Sequence, residues 1–284
     1  MIGPMTHLAV IHINIDPIAL QVGNFSVHWY GVMYVVSFAL GFRFGALPHL
    51  VARGVDRADA ERMLFWAIVA GLVGARLYFD VQQPLDQFVQ RPIDIIAVWQ
   101  GGMDFFGALF GAVGIVAFRC WREKRSFWLF FDATVIFGVV AQPIGRIGNI
   151  INGDILGGPS NLPWATAYDN PRSFVPFTEL GQAVQPAGAY EALCALGIGV
   201  LLFYLRRRGV RVGVLGLTYV AAYAITHFFL FFVRQTEPIV GLGLKQSQWT
   251  CLAMLVFGMP ALYFIWKRSQ RVSEPPSLLT ADAS

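Results

Sequence analysis

The chain has 284 residues, 56% of them hydrophobic and only 13% charged, with a mean hydropathy of +0.57. A water-soluble domain of this length needs far more charge to cover its surface, so that class is excluded. The net charge of +4 and pI near 9.1 would suit a nucleic-acid binder, but the placement of the basic residues gives them another task.

Apolar runs of the length needed to cross roughly 30 Å of hydrocarbon recur along the chain. They predict an all-α polytopic membrane protein with about seven transmembrane helices, near 27–45, 63–80, 102–118, 127–145, 188–205, 212–233 and 249–266. Residues 1–26 contain no Lys or Arg. They therefore lack the basic start of a cleavable signal peptide, and the first span is expected to direct insertion itself. The connection 46–62 carries three basic residues, 119–126 carries four, 206–211 carries four and the tail from 267 carries three. The intervening connections carry none, one, two and two. Fourteen against five, alternating, puts the N-terminus outside and the C-terminus in the cytoplasm by the positive-inside rule. The basic runs are thus topology determinants beside anionic lipid, and no nucleic-acid partner is expected.

The expected organisation is one transmembrane domain over 1–266, with an external arm at 1–26 and an external loop or small head at 146–187, between spans 4 and 5. Residues 267–284, with SEPPSLLTADAS at 273–284, read as a disordered cytoplasmic tail. No long internal repeat supports a pseudo-symmetric transporter. Gly107, Gly111 and Gly114 predict close packing of span 3 on a neighbour. The three cysteines, Cys120, Cys194 and Cys251, are far apart and form no CxxC pair, so neither a disulfide nor a zinc site is implied. HExxH, GxSxG and Walker A patterns are missing as well, and no metal or nucleotide cofactor is expected.

The polar residues least expected at membrane depth all fall at predicted outer span ends. Tyr30 opens span 1; Arg76 and Tyr78 close span 2; Asp104 begins span 3. Gln142, Arg146, Asn149, Asn152 and Asp154 end span 4, and Tyr190 and Glu191 begin span 5. Arg234 ends span 6, and Gln246 and Gln248 precede span 7. Ionisable groups at that depth face a bundle interior or a wet cavity, because lipid does not solvate them. Three arginines with the carboxylates Asp104, Asp154 and Glu191 suit a phosphate, which guanidinium groups bind in forked pairs. An anionic phospholipid head group is the natural ligand. Each residue also has a plainer reading: Arg76, Asp104 and Glu191 as ion-pair partners, Arg234 as a snorkelling residue, Tyr30 as an interfacial belt tyrosine. His227, the only histidine within a span, reads first as a hydrogen-bonded packing residue.

The run GRIGNIINGDILG at 145–157 resembles the signature of the prolipoprotein diacylglyceryl transferases, and further blocks follow in that family's order. They are DPIALQVGNFSVHWYGVMYVVSF (16–38), GARLYFDV (74–81), WQGGMDFFGALFG (99–111), PAGAYEAL (186–193) and the Arg234 region. The resemblance implies transfer of the diacylglyceryl group of phosphatidylglycerol to the cysteine thiol of a prolipoprotein signal peptide bearing a lipobox, with a thioether formed and glycerol phosphate released. It also implies residence in the bacterial cytoplasmic (inner) membrane, with the site towards the outer face. Tyr30, Arg146, Asn149, Gly157 and Arg234 fall on positions the family uses for activity and lipid binding. The site assigned on this basis has Arg146, Arg234, Tyr30 and Asp104 as catalytic residues. Arg76, Asn149, Asn152, Gly153, Asp154, Gly157 and Glu191 would bind substrate, with the glycines of 145–158 donating backbone N–H groups to the head group. The chain departs from the family pattern in GGMDFFGA, where Phe106 stands in place of a histidine. Gln185 stands in place of a second histidine, Asp154 replaces a glutamate, and His227 and Phe231 replace a charged pair. These departures leave open a homologue acting on another acceptor or anionic lipid, or a non-catalytic phospholipid-binding protein.

Overall fold

The structure, a computed structural model, describes residues 10–23, 25–84, 91–96, 102–235 and 238–273. Parts of the expected arm, of the connection 81–101 and of the tail therefore lie outside the described residues. The fold is mostly helical. In chain order the long helices are α1 (Trp29–Val51), α2 (Arg57–Val81), α3 (Phe105–Arg122), α4 (Phe127–Asn152), α5 (Ala187–Arg207), α6 (Val214–Val233) and α7 (Gln246–Gln270). Among the described residues, six are long and apolar enough to cross a membrane; α3, with 18 residues, is not one of the six. Val200, Phe229 and Phe257 turn 73%, 65% and 73% of their surface outward. That is the distribution a lipid-facing helix requires and a water-facing one avoids. The chain is a polytopic helical membrane protein.

Two compact units make up the chain, residues 47–133 and the remainder. In the unit 47–133, α2 and α3 both begin on aspartate caps. Asp56 accepts from the Ala58 N–H, and Asp104 accepts from the N–H groups of Phe106 at 2.7 Å and Gly107 at 3.3 Å. The two helices meet backbone to backbone. A Cβ on Gly74 would lie 3.1 Å from Gly111 Cα, one on Gly107 would press on the Gly74 carbonyl, and one on Gly111 on that of Ala70. Gly107 and Gly111 are thus the close-packing residues expected of span 3, whereas Gly114 has nothing within 4 Å. Past the end of α3, Arg125 pairs with Asp59 and lies 3.2 Å from Glu123.

In the larger unit, α1 contains a π-helical stretch, Gly41–Ala46, that lies against α4. A Cβ on Gly45 would come 2.7 Å from the Ile136 carbonyl. Strands β1 (Ile11–Ile13), β2 (Ile18–Val22) and β3 (Phe25–His28) precede α1, and β2 and β3 form an antiparallel hairpin. The segment between α4 and α5 folds into a small head around Leu156, Tyr168, Val175 and Val184. Its strand β4 (Thr166–Tyr168) pairs in parallel with β1, Ile11 opposite Thr166, and β4 also exchanges two 2.9 Å backbone bonds with Val184. The Tyr168 hydroxyl donates to the Ile150 carbonyl at 2.8 Å, which ties the head to α4. The short strands β5 (Ile239–Gly241) and β6 (Leu244–Lys245) join α6 to α7.

Several boundaries differ from expectation: α1 runs on to Val51 and α2 begins at Arg57, each about six residues inside the expected connection 46–62, and α3 runs on to Arg122. Helix α4 runs on to Asn152, seven residues past the predicted end, so the run from Gly145 to Asn152 is helix rather than connection. Helical backbone also continues past 266 to Ser273, beyond which lie undescribed tail residues.

Candidate functional site

On the last two turns of α4, Arg146, Asn149 and Asn152 recur at intervals of three and share one helix face. Gly148 lies against α1: a Cβ there would come 3.1 Å from both Tyr30 Cα and Met33 Cβ. This glycine contact brings the first turn of α1 to the end of α4, and Arg146 and Asp154 both act electrostatically on the Tyr30 hydroxyl. Gly153, at φ +74, ends the helix, its N–H donating to the Asn149 carbonyl at 2.9 Å.

Glu191, on the second turn of α5 and only 4% exposed, receives a different arginine on each carboxylate oxygen. Arg146 Nη2 lies 2.7 Å from Oε2, a close ion pair without aligned hydrogen-bond geometry, and Arg234 Nη1 donates to Oε1 at 3.4 Å. From Arg146 a chain of contacts continues: Nη1 donates to Asn149 Oδ1 at 3.0 Å, and Asn149 Nδ2 donates to Asp154 Oδ2 at 3.1 Å. Burial pushes the Asp154 carboxyl above its ordinary range, opposed by the Asn149 amide and by Arg146 and Arg234.

Arg234 is held from its backbone. It caps α6 and bridges antiparallel to Gly157, with Gly158 N donating to Val233 O at 3.0 Å and Gln235 N to Leu156 O at 3.2 Å. On its other side Gly157 lies close to Gln185, whose carbonyl accepts from its N–H at 2.9 Å, and a Cβ there would come 2.7 Å from that oxygen. Lys245 Nζ donates to the carbonyls of Phe231, at 2.7 Å, and Arg234, placing a cation where the helix end is negative.

Two guanidinium groups thus share one carboxylate. The Nε atoms of both Arg146 and Arg234 are buried with no hydrogen-bond partner among the described residues. An excess of positive charge with unspent buried donors is an anion site, since such donors gain most from a charged acceptor. Asn152 Oδ1 and Asp154 Oδ1 are likewise buried and unpartnered, and could receive hydroxyl donors.

Of the eleven residues assigned from sequence, the larger unit brings together Arg146, Asn149, Asp154, Glu191 and Arg234, with Tyr30 within their electrostatic reach. Asn152 shares their helix face, its carbonyl accepting from Phe174 N at 2.8 Å. The amides of Gly153, Gly157 and Gly158 donate to backbone carbonyls of Asn149, Gln185 and Val233, so they position the chain and are not free for a head group. Arg76 and Asp104 belong to the other unit. There Arg76 pairs with Asp80 at 3.1 Å and donates to the carbonyls of Asp94, Ile95 and Gly102, while Asp104 caps α3. Phe106 is the second residue of α3, its N–H taken by that cap.

Sequence reading passed over Lys245, which looked like a loop cation, and Tyr223. The spacing Tyr219, Tyr223, His227 was the available signal: four residues apart, they line one face of α6. Tyr223 stacks on His227 at 3.6 Å between ring centroids, and the Tyr219 hydroxyl donates to Gln142 Oε1 at 3.2 Å.

The fold and this cluster define a multi-pass helical membrane protein with a buried arginine–carboxylate site where two of its helices end. The chain belongs to the prolipoprotein diacylglyceryl transferase family, whose sequence profile matches residues 17–265. Curated relatives named phosphatidylglycerol–prolipoprotein diacylglyceryl transferase align along nearly their whole length. The one from Polynucleobacter necessarius subsp. necessarius strain STIR1 is 30% identical over 258 residues, 88% of this chain and 95% of the relative. That of Burkholderia thailandensis is 30% identical over 292 residues, covering 91% and 97%. That of Cupriavidus pinatubonensis is 29% identical over 276 residues, covering 93% and 96%.

Proposed function

We propose that this protein transfers the diacylglyceryl group of phosphatidylglycerol to the lipobox cysteine of a prolipoprotein signal peptide. It would do so in the bacterial inner membrane, as a seven-span protein with the N-terminus outside and the site towards the outer face. The names of its relatives support the reaction class. The observation that carries the reading is the single buried carboxylate between Arg146 and Arg234, each with an unspent buried Nε–H.

In this reaction the cysteine sulfur forms a bond to the terminal glyceryl carbon of the diacylglyceryl group. The bond from that carbon to the phosphate oxygen breaks, and glycerol phosphate leaves with the electron pair. Negative charge therefore grows on the phosphate in the transition state, where Arg146 and Arg234 would receive it. Glu191 keeps the two guanidinium groups together before lipid arrives. Asn149 fixes the Arg146 fork and links it to Asp154, while Asn152 and Asp154 offer acceptors to the glycerol hydroxyls. Tyr30 would border the site from α1. Gly153 and Gly157 act through the backbone they shape, Arg76 through the carbonyls of the connection before α3 that it holds, and Asp104 through the cap of α3.

The test uses purified protein in phosphatidylglycerol vesicles with a lipobox peptide, following peptide mass and glycerol phosphate together. Arg146→Ala and Arg234→Ala are each expected to lower transfer by about 100- to 1,000-fold, the usual loss for a donor to developing negative charge. Folded wild-type protein that modifies no lipobox peptide would overturn the reading. Lipid consumption without peptide modification would favour another acceptor, the alternative that Phe106 raises.

A further inference from the structure

The displacement needs a thiolate, yet the arginines that receive the phosphate are not proton acceptors at any ordinary pH. Phe106 offers no acceptor either. Within the larger unit, an imidazole lies on the same helix that Arg234 caps. His227, on α6, is 2% exposed. Its Nδ1 lies 3.2 Å from the Tyr223 carbonyl, an acceptor, so the proton of the neutral ring belongs on Nδ1. The Nε2 lone pair is then the free one, and Nε2 is buried without a hydrogen-bond partner among the described residues. A ring kept only for packing would leave that acceptor unpaired, which destabilises the fold.

Position agrees with chemistry. His227 lies seven residues before Arg234 on the same helix, about 10 Å along its axis. That is the scale of a phosphate ester, an attacking sulfur and a hydrogen bond laid end to end. On α6 itself, Tyr223 stacks flat on the His227 ring and Phe231 lies edge-on at 6.0 Å.

We infer that His227 Nε2 is the proton acceptor for the substrate thiol, an assignment that rests on the transfer reaction proposed above. The S–H bond breaks as the proton passes to Nε2, and the sulfur's electron pair forms the new C–S bond. The C–O bond releases its pair to the phosphate, and the imidazolium then returns the proton to the departing glycerol phosphate. The ring ends neutral, ready for the next peptide.

The experiment compares wild type with His227→Gln in phosphatidylglycerol vesicles, on two lipobox peptides that carry cysteine or selenocysteine at the acceptor position. The selenol is ionised at neutral pH and needs no base. His227→Gln is expected to slow transfer to the cysteine peptide by about 100-fold or more, in kcat with KM for lipid unchanged. The selenocysteine peptide should be modified at close to the wild-type rate, which also shows that the variant is folded. Equal loss on both peptides would make His227 a packing residue and overturn the assignment, as would no loss on either. Wild type inactive on both peptides would refute the transfer reaction itself, and this assignment with it.

Discussion

Asp154 shows how one residue's environment becomes a measurable pH effect. Burial raises its carboxyl above the ordinary range, so the folded chain holds that proton more tightly than the unfolded chain does. Its stabilising contribution is therefore complete below the unfolded value and is lost as pH rises through the higher folded one. Wild-type unfolding temperature in detergent should fall across that window, and Asp154→Asn, which keeps the oxygen that Asn149 donates to, should flatten the fall. A slope identical in both proteins would place the titration elsewhere. Arginines and carboxylates at membrane depth were legible in the sequence because lipid makes them expensive. That Glu191 would sit between Arg146 and Arg234 was not legible, because residues from α4, α5 and the α6 cap meet only in the fold. For Asp104 the cap signal was legible, an aspartate just before an apolar helix.

Among the elements, the crossing of α2 and α3 separates glycines that look alike in the sequence. Gly107→Ala would drive a methyl into the Gly74 carbonyl and Tyr78 Cβ, where one neighbour is backbone and cannot swing aside. A loss of about 1–3 kcal/mol is expected, read as a lower unfolding temperature in detergent. Gly114→Ala, with open space around it, should be neutral or slightly stabilising through helix propensity. A similar cost at both positions would refute this packing. Helix cores were predictable from hydropathy, and their ends were not. The run from Gly145 to Asn152 reads as loop because Gly and Asn favour turns. It stays helical because Gly148 admits α1 and because Asn149 finds side-chain partners, a tertiary effect that overrides local preference.

For the whole molecule, the fourteen-to-five asymmetry of basic residues makes a topological prediction that labelling can check. With Cys120, Cys194 and Cys251 replaced by alanine, Phe177→Cys, on a head residue 80% exposed, should react with an impermeant maleimide in intact spheroplasts. Arg122→Cys should react only after permeabilisation. The reverse pattern would invert the proposed orientation.

The parallel pairing of β1 with β4 reaches past the finished fold to its biosynthesis. His12 and its partner Asp169 are 157 residues apart, with four long helices made between them. At about 5–20 residues per second, the arm waits some 8–30 seconds after synthesis before the strand that completes it exists. During that interval β1 is an unpaired edge, open to any extended segment nearby. Its three residues, Ile11, His12 and Ile13, alternate apolar and polar and stay largely exposed, a truce between two needs: to recognise β4 when it arrives, and to recognise little else before then.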